Sequence, residues 1–448
     1  TLVSFAVTTE DIDNIVSPEF KKADRKVVIL RPDYDENGLP ITKSLLSVYD
    51  KVYELVTSGK CVAAYTPTFG GIAEAVMKMT FGNGIGFAFN ENADIKDIFG
   101  YNYGSFILEL IEDIDVGETL GVTLSENVII YRDKAVDLDS LQKVYEEKLE
   151  PVYSCNIEQG KGKIAAFSCE EKSTAAPLIK VSKPKVLIPV FPGTNCEFDT
   201  AKAMARAGAD PEIIVIKNLT AQGITESVEY FAKQLKEAQM VFIPGGFSGG
   251  DEPDGSGKFI TAFFRNGAVK EQVNELLKNR DGLMCGVCNG FQAIIKLGLV
   301  PYGEIIDTDE NCPTLTFNTI GRHQSRIVRT RIASTKSPWL SACEVGDIYD
   351  VPISHGEGKF WASDDVIANL AKNGQIATQY VDLEGNPTSD IRFNPNDSAA
   401  AIEGILSPDG RVFGKMGHSE RWCDGLYKNV PGNYDMKMFE SAVNYFKL

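Results

Sequence analysis

The chain has 448 residues, 43% of them apolar and 24% charged, enough for two or three globular domains with substantial cores. Its formal charge of −17 excludes the basic footprint that nucleic-acid phosphates or an anionic membrane surface require, so neither is expected as a partner. Nine cysteines, with no signal-peptide pattern and no apolar run of membrane-spanning length, read as reduced thiols of a cytoplasmic protein.

The chain starts at Thr1 and runs at once into Leu2, Val3, Phe5 and Ala6, which is expected of the interior of a longer polypeptide. Residues 27–30 read as a strand. Residues 44–57 read as a helix with Leu45, Val48, Tyr49, Val52 and Val56 along one face. A strand at 61–65 precedes Gly70-Gly71-Ile72-Ala73-Glu74, a glycine turn entering a helix. Strands at 106–110, 119–124 and 128–131 and a helix at 138–149 complete an α+β pattern. Residues 172–183, with small residues, Pro177 and no period, are the expected linker between a first domain at 1–171 and a second at 184–448.

The second domain opens on an apolar strand at 186–191. It meets Pro192-Gly193-Thr194-Asn195-Cys196-Glu197, where Thr194 and Glu197 have capping-box spacing. Buried-type strands follow at 213–216, 240–243 and 283–286, in α/β alternation. From Thr314 onward β-like segments dominate, with a hairpin expected at Ser407-Pro408-Asp409-Gly410. The pattern predicts a parallel sheet flanked by helices and extended by a β-rich segment.

The strand at 283–286 leads into Gly286-Val287-Cys288-Asn289-Gly290, a cysteine between glycines on a strand-to-helix turn. Such an elbow exposes a nucleophile, and the helix start favours thiolate over thiol. The Asn289 N–H is placed to meet a developing oxyanion, so covalent cysteine chemistry on an acyl group or amide is expected. A base must come from three histidines: His323, His355 and His418. In Gly417-His418-Ser419-Glu420, alternation along an extended segment puts His418 and Glu420 on one side, with Glu420 holding the imidazole tautomer. A second oxyanion donor is expected from Pro244-Gly245-Gly246-Phe247-Ser248-Gly249-Gly250-Asp251, another glycine-rich strand end.

Pro244-Gly245-Gly246, Gly286-x-Cys288-x-Gly290-x-Gln292 and His418-x-Glu420, in this order, resemble the class I (triad) glutamine amidotransferases. Residues 184–448 carry that resemblance, which implies a flavodoxin-like α/β domain with catalytic Cys288, His418 and Glu420. It implies further that Gly245, Gly246 and Asn289 serve the oxyanion, and that Gln292, Ser354, His355 and Gly356 contact the bound glutamine. The fuller strings, among them Pro192-Gly193-Thr194-Asn195-Cys196-Glu197, are similar to purine-biosynthetic members. Those members use glutamine and ATP to aminate formylglycinamide ribonucleotide. Residues 1–170 resemble the C-terminal half of an aminoimidazole ribonucleotide synthetase-like α+β domain, through Gly70 to Glu74, Phe81-Gly82-Asn83-Gly84-Ile85-Gly86 and Tyr103-Gly104-Ser105-Phe106. The resemblance implies upstream synthetase domains of the same polypeptide as partners. It implies no cofactor in this chain, ATP and Mg2+ being expected for the longer enzyme. Two positions depart from the pattern: Thr68-Phe69 replaces an acidic residue before Gly70, and Gly417-His418-Ser419-Glu420 replaces Pro-His-Pro-Glu.

Other readings stand beside this one. Cys285-x-x-Cys288 has redox or zinc spacing but lacks a second pair, and Cys196 fits packing or capping. His323 fits a structural or surface role, and Gly255-Ser256-Gly257-Lys258 is an incomplete phosphate loop. The whole chain could also be a non-catalytic glutamine-binding or regulatory module, or a cysteine hydrolase acting on other acyl groups.

Overall fold

The computed structural model describes residues 3–154, 157, 163–248 and 256–447. Gly249, Gly250, Asp251 and Gly255, named above, lie outside them. The chain divides into two compact units, Thr1–Ser154 and Cys155–Leu448.

The first unit is built on strands β1 (Lys26–Leu30), β2 (Cys61–Tyr65), β3 (Gly86–Phe89), β4 (Phe106–Leu110), β5 (Glu118–Leu124), β6 (Val128–Tyr131) and β7 (Lys134–Asp137). They form one sheet in the order β2-β4-β1-β5-β3-β6-β7, antiparallel except for β3 against β6. Alternation along β1 explains the layering. Val27 and Ile29 pack with Ile72, Ala75, Val76 and Met79 of helix Gly71–Phe81, while Val28 and Leu30 pack with Val48, Val52 and Leu55 of helix Thr42–Thr57. Every strand and helix expected here is present, and β3 and β7 are added.

The second unit holds β8 (Lys185–Val190), β9 (Asp210–Val215), β10 (Met240–Ile243), β11 (Leu283–Val287), β12 (Thr314–Thr316), β13 (Gln324–Ile332), β14 (Ile348–His355), β15 (Lys359–Trp361), β16 (Ile376–Tyr380), β17 (Ile402–Leu406) and β18 (Val412–Lys415). Nine of these form a sheet ordered β14-β13-β16-β17-β18-β11-β10-β8-β9. Neighbours from β18 to β9 are parallel, and from β14 to β18 antiparallel. The parallel strands β10 and β11 are buried along their whole length, as strands covered on both faces must be. This is the helix-flanked α/β sheet with a β-rich extension that the sequence indicates. The expected hairpin is there too, β17 turning into β18 through Ser407–Gly410.

Two local expectations change. Thr194 does not cap a helix: its hydroxyl accepts the Phe191 N–H at 3.1 Å, and helix Glu197–Ala207 begins after Cys196. The backbone at Thr194 is instead bridged to Gly246, which draws the two strand ends together. The division at Ser154/Cys155 also falls before residues 172–183. Phe167 donates its N–H to Gln379 at 3.0 Å, Cys169 bonds Ala333, and Val181 bonds Phe446, so residues 163–183 lie against the second unit.

Candidate functional site

Parallel strands end on one edge, and the carboxyl ends of β10, β11 and β18 gather the chemistry there. Cys288 follows β11 with φ 52° and ψ −108°, a conformation that L residues adopt only when their surroundings impose it. Its N–H donates to Lys415 O at 2.9 Å, tying the elbow to β18. The helix Asn289–Lys296 then starts close behind the sheet. Gly290 permits this, because a Cβ there would stand 2.0 Å from Ile243 O.

His418 comes three residues beyond β18, and its Nδ1 lies 2.5 Å from Glu420 Oε1, both side chains being fully buried. The hydrogen bond puts the ring proton on Nδ1 and leaves Nε2, which has no partner among the described residues, as the lone-pair nitrogen. The segment Ser419–Arg421 is a single 3-10 turn rather than an extended strand, so the turn, not alternation, brings the two side chains together. Burial opposes the Glu420 charge, yet the adjacent His418 ring holds its carboxyl below the ordinary value.

Gly245, at the end of β10, gives His418 its room: a Cβ there would lie 2.5 Å from His418 Cε1 and 3.3 Å from Cys196 Sγ. The Gly245 carbonyl accepts the N–H groups of Asn195 and Cys196 at 3.3 Å, fixing that loop against the site. Cys196, expected to serve packing or capping, borders the His418 ring. Its Sγ sits 3.8 Å from His418 Nδ1 and accepts from Arg421 Nη2 at 3.1 Å. Burial, ahead of the Glu420 charge, pushes the Cys196 thiol up to about 11. Donor atoms of Cys196, His418 and Glu420 lie within 4.8 Å of one another, a set chemically able to hold a soft metal ion. The direct Nδ1–Oε1 bond and the Arg421 guanidinium on Cys196 join the three groups into a hydrogen-bonded network.

Burial also pushes the Cys288 thiol well above its ordinary value, and the nearby Cys196 and Glu420 add to this. Arg421 and the Asn289 N–H pull the other way, more weakly. Desolvation of the buried sulfur thus works against the thiolate that the helix start favours.

The remaining candidates form the opposite wall. Cys288 Sγ is 3.7 Å from Ser354 O at the end of β14, and Ser354 Oγ is 3.2 Å from His323 Nε2. His323 thus borders the site. His355 is buried with neither ring nitrogen partnered among the described residues, and burial, then His418, lowers its pKa to about 3. It is a neutral wall ring. Gly356 O and His355 O accept the backbone and side-chain N–H groups of Asn318. Gln292 is engaged at both ends, donating to Glu357 O at 2.6 Å and accepting from Asn289 Nδ2 at 2.9 Å, so it braces the 354–358 turn against helix Asn289–Lys296. Asn289 Oδ1 takes the Ser248 N–H at 3.2 Å. Cys285 is fully buried within β11, and the eight described cysteines are all free thiols.

In the first unit, the helix entered through Gly70-Gly71 has its N-terminus filled from within. Glu74 Oε2 accepts the Gly70 N–H at 2.9 Å and the Thr68 hydroxyl at 2.8 Å.

Comparison with known proteins bears on the second unit. Residues 183–446 match the model of the CobB/CobQ-like glutamine amidotransferase domain. The chain is 34% identical over 261 residues to the phosphoribosylformylglycinamidine synthase subunit PurQ of Methanococcus maripaludis, covering 58% of this chain and 89% of that one. It is 34% identical over 275 residues to the subunit of the same name from Dehalococcoides mccartyi, covering 59% and 98%. Among solved structures, PurLQS from Thermotoga maritima aligns at 25% identity with a TM-score of 0.43, covering 59% of this chain and 100% of that chain. Among the described residues, no helix is long and apolar enough to cross a membrane.

Proposed function

The chain belongs to the family of CobB/CobQ-like glutamine amidotransferase domains, through residues 183–446, and from that membership we propose that Cys288, His418 and Glu420 hydrolyse glutamine to release ammonia. The observation that carries the assignment is the strained Cys288 elbow beside a buried His418–Glu420 pair, on the ends of adjacent strands.

Burial favours the thiol over the thiolate, and its proton passes to His418 Nε2 as Sγ attacks the side-chain amide carbon. Glu420 holds the proton on Nδ1 and stabilises the imidazolium that forms. The N–H groups of Asn289 and of the Gly245-Gly246 strand end serve the oxyanion. The C–N bond breaks, His418 returns its proton to the leaving nitrogen, and ammonia departs. Water then hydrolyses the γ-glutamyl thioester to glutamate and restores Cys288. The turn at Ser354, His355 and Gly356, braced by Gln292, is the wall for the α-amino and carboxylate groups.

Glutamine amidotransferase work in purine biosynthesis is the role supported by likeness to the synthase subunits. The reaction supplied is the ATP-dependent amination of formylglycinamide ribonucleotide, in synthetase domains of the same polypeptide that carry ATP and Mg2+. Exposed Phe69, Tyr101 and Tyr103, the first tilted against Tyr101 at 6.1 Å between ring centroids and the two tyrosines stacked at 5.6 Å, give the first unit an aromatic face suited to such domains. A cytoplasmic setting suits the free thiols.

Treatment with a diazo-ketone glutamine analogue tests the proposal. An adduct confined to Cys288, blocked by glutamine and absent from Cys288→Ala, supports it. An adduct on Cys196 or Cys285 overturns the triad, and glutamine binding without any adduct favours a non-catalytic module.

A further inference from the structure

The turn that carries His418 and Glu420 is held by two charges sealed in the protein. The side chains of Lys415 and Glu403 are both fully buried, with Nζ 3.4 Å from Glu403 Oε1. Lys415 Nζ donates to Gly417 O at 2.8 Å and to Ser419 Oγ at 3.1 Å. Glu403 Oε1 accepts the Gly417 N–H at 2.6 Å, and its Oε2 accepts the Thr378 hydroxyl. Both backbone polar groups of Gly417 and the hydroxyl of Ser419, the residue after His418, are thus clamped. The backbone N–H of His418 donates to Pro352 O at 2.8 Å. Lys415 also accepts the Cys288 N–H through its backbone, so one residue joins the nucleophile's elbow to both flanks of the histidine.

These contacts need the two residues at which the chain departs from Pro-His-Pro-Glu. A proline at 417 has no N–H for Glu403, and a proline at 419 has no hydroxyl for Lys415. Gly417 also leaves no room, since a Cβ there would lie 2.7 Å from Val351 Cγ2 and 3.0 Å from Glu403 Oε1. A glycine beside the histidine loosens the backbone where proline would fix φ, and the buried pair restores the constraint.

We infer that Lys415 and Glu403 are positioning residues that hold His418 and Glu420 in register with Cys288. The inference rests on the triad reading above. A purely structural ion pair makes a different prediction, because replacing a buried pair with apolar side chains is commonly neutral or stabilising. Under the positioning role, stability and reactivity must therefore separate.

The test is the full chain as wild type, Lys415→Met/Glu403→Leu, Lys415→Met/Glu403→Gln and Ser419→Ala. Melting temperature is measured alongside the maximal rate of Cys288 alkylation by the diazo-ketone analogue and its half-saturating concentration. The Met/Leu variant is expected to keep its melting temperature and its half-saturation, while its maximal rate falls about tenfold or more from misplaced groups. The Met/Gln variant is expected to recover part of that rate, because the new amide oxygen still accepts the Gly417 N–H. Ser419→Ala is expected to slow alkylation severalfold with half-saturation unchanged, and it decides the matter if a double variant fails to fold. Wild-type rates in the folded variants, or losses that only follow the melting temperature, overturn the inference. A wild type that is not alkylated at Cys288 overturns the glutamine reading first, and this inference with it.

Discussion

Replacing Gly245 with alanine probes the site at its tightest point. The new Cβ would start 2.5 Å from His418 Cε1. Carbon atoms in contact settle near 3.5–4.0 Å, so the ring or the strand end must retreat by about 1 Å. The His418 N–H is pinned to Pro352 and its Nδ1 to Glu420, so the retreat disturbs the pair that sets the tautomer. A displacement of about 1 Å at reacting groups costs on the order of 10²-fold in rate, whereas overpacking of this kind costs about 1–3 kcal/mol of stability. Glutaminase turnover, or the maximal rate of alkylation by the diazo-ketone analogue, should therefore fall about a hundredfold in a protein that remains folded at room temperature. Gly267→Ala is the control: nothing lies within 4 Å of its Cβ, it opens helix Gly267–Asn274, and its activity should be unchanged. Wild-type turnover in Gly245→Ala would refute the reasoning, because it would mean that His418 does not work from the position described.

Glu420→Gln should lower turnover by about 10²–10⁴-fold at similar glutamine affinity, since the amide can no longer hold the proton on Nδ1; steady-state kinetics separates the two effects. Cys288→Gly and Cys288→Ala should both be inactive. The glycine variant should be the more stable by about 1 kcal/mol in calorimetry, reversing the usual order, because φ 52° strains alanine and not glycine. His355 has its folded pKa depressed to about 3, below the unfolded value near 6.5, so the unfolded chain takes up the proton first on acidification. Its contribution is complete above pH 6.5 and is lost between pH 6.5 and 3, at about 1.4 kcal/mol per unit at most. Urea titrations of His355→Gln should accordingly show a shallower loss of stability from pH 7 to 5 than wild type.

The sequence marks Cys288 as the candidate nucleophile because an elbow demands a local signature: Gly286 and Gly290 flank Cys288 so that a helix can turn back on its own strand. It identified His418 and Glu420 as a pair but not the reason they meet, since a single 3-10 turn has no periodicity to read. Cys196 stayed hidden because its neighbours come from β10 and the 418–421 turn, distant in sequence. Lys415 and Glu403 were hidden for a related reason. Each is one charge in an otherwise apolar strand, and only pairing of β17 with β18 sets them face to face. Residues 172–183 have linker composition, yet backbone bonds such as Val181 to Phe446 carry no compositional trace. The helix start that favours a thiolate at Cys288 is readable from sequence, whereas the burial that opposes it belongs to the folded site.

Acylation of Cys288 by glutamine is the step on which the proposed chemistry turns. Acid quenching during turnover, followed by peptide mass spectrometry, measures it directly. The account predicts a γ-glutamyl group, glutamine less ammonia, on the peptide containing Cys288, enriched in Glu420→Gln if hydrolysis slows more than attack, and absent from Cys288→Ala. Glutamyl mass on Cys196, or ammonia release from glutamine by the Cys288→Ala chain, would contradict it.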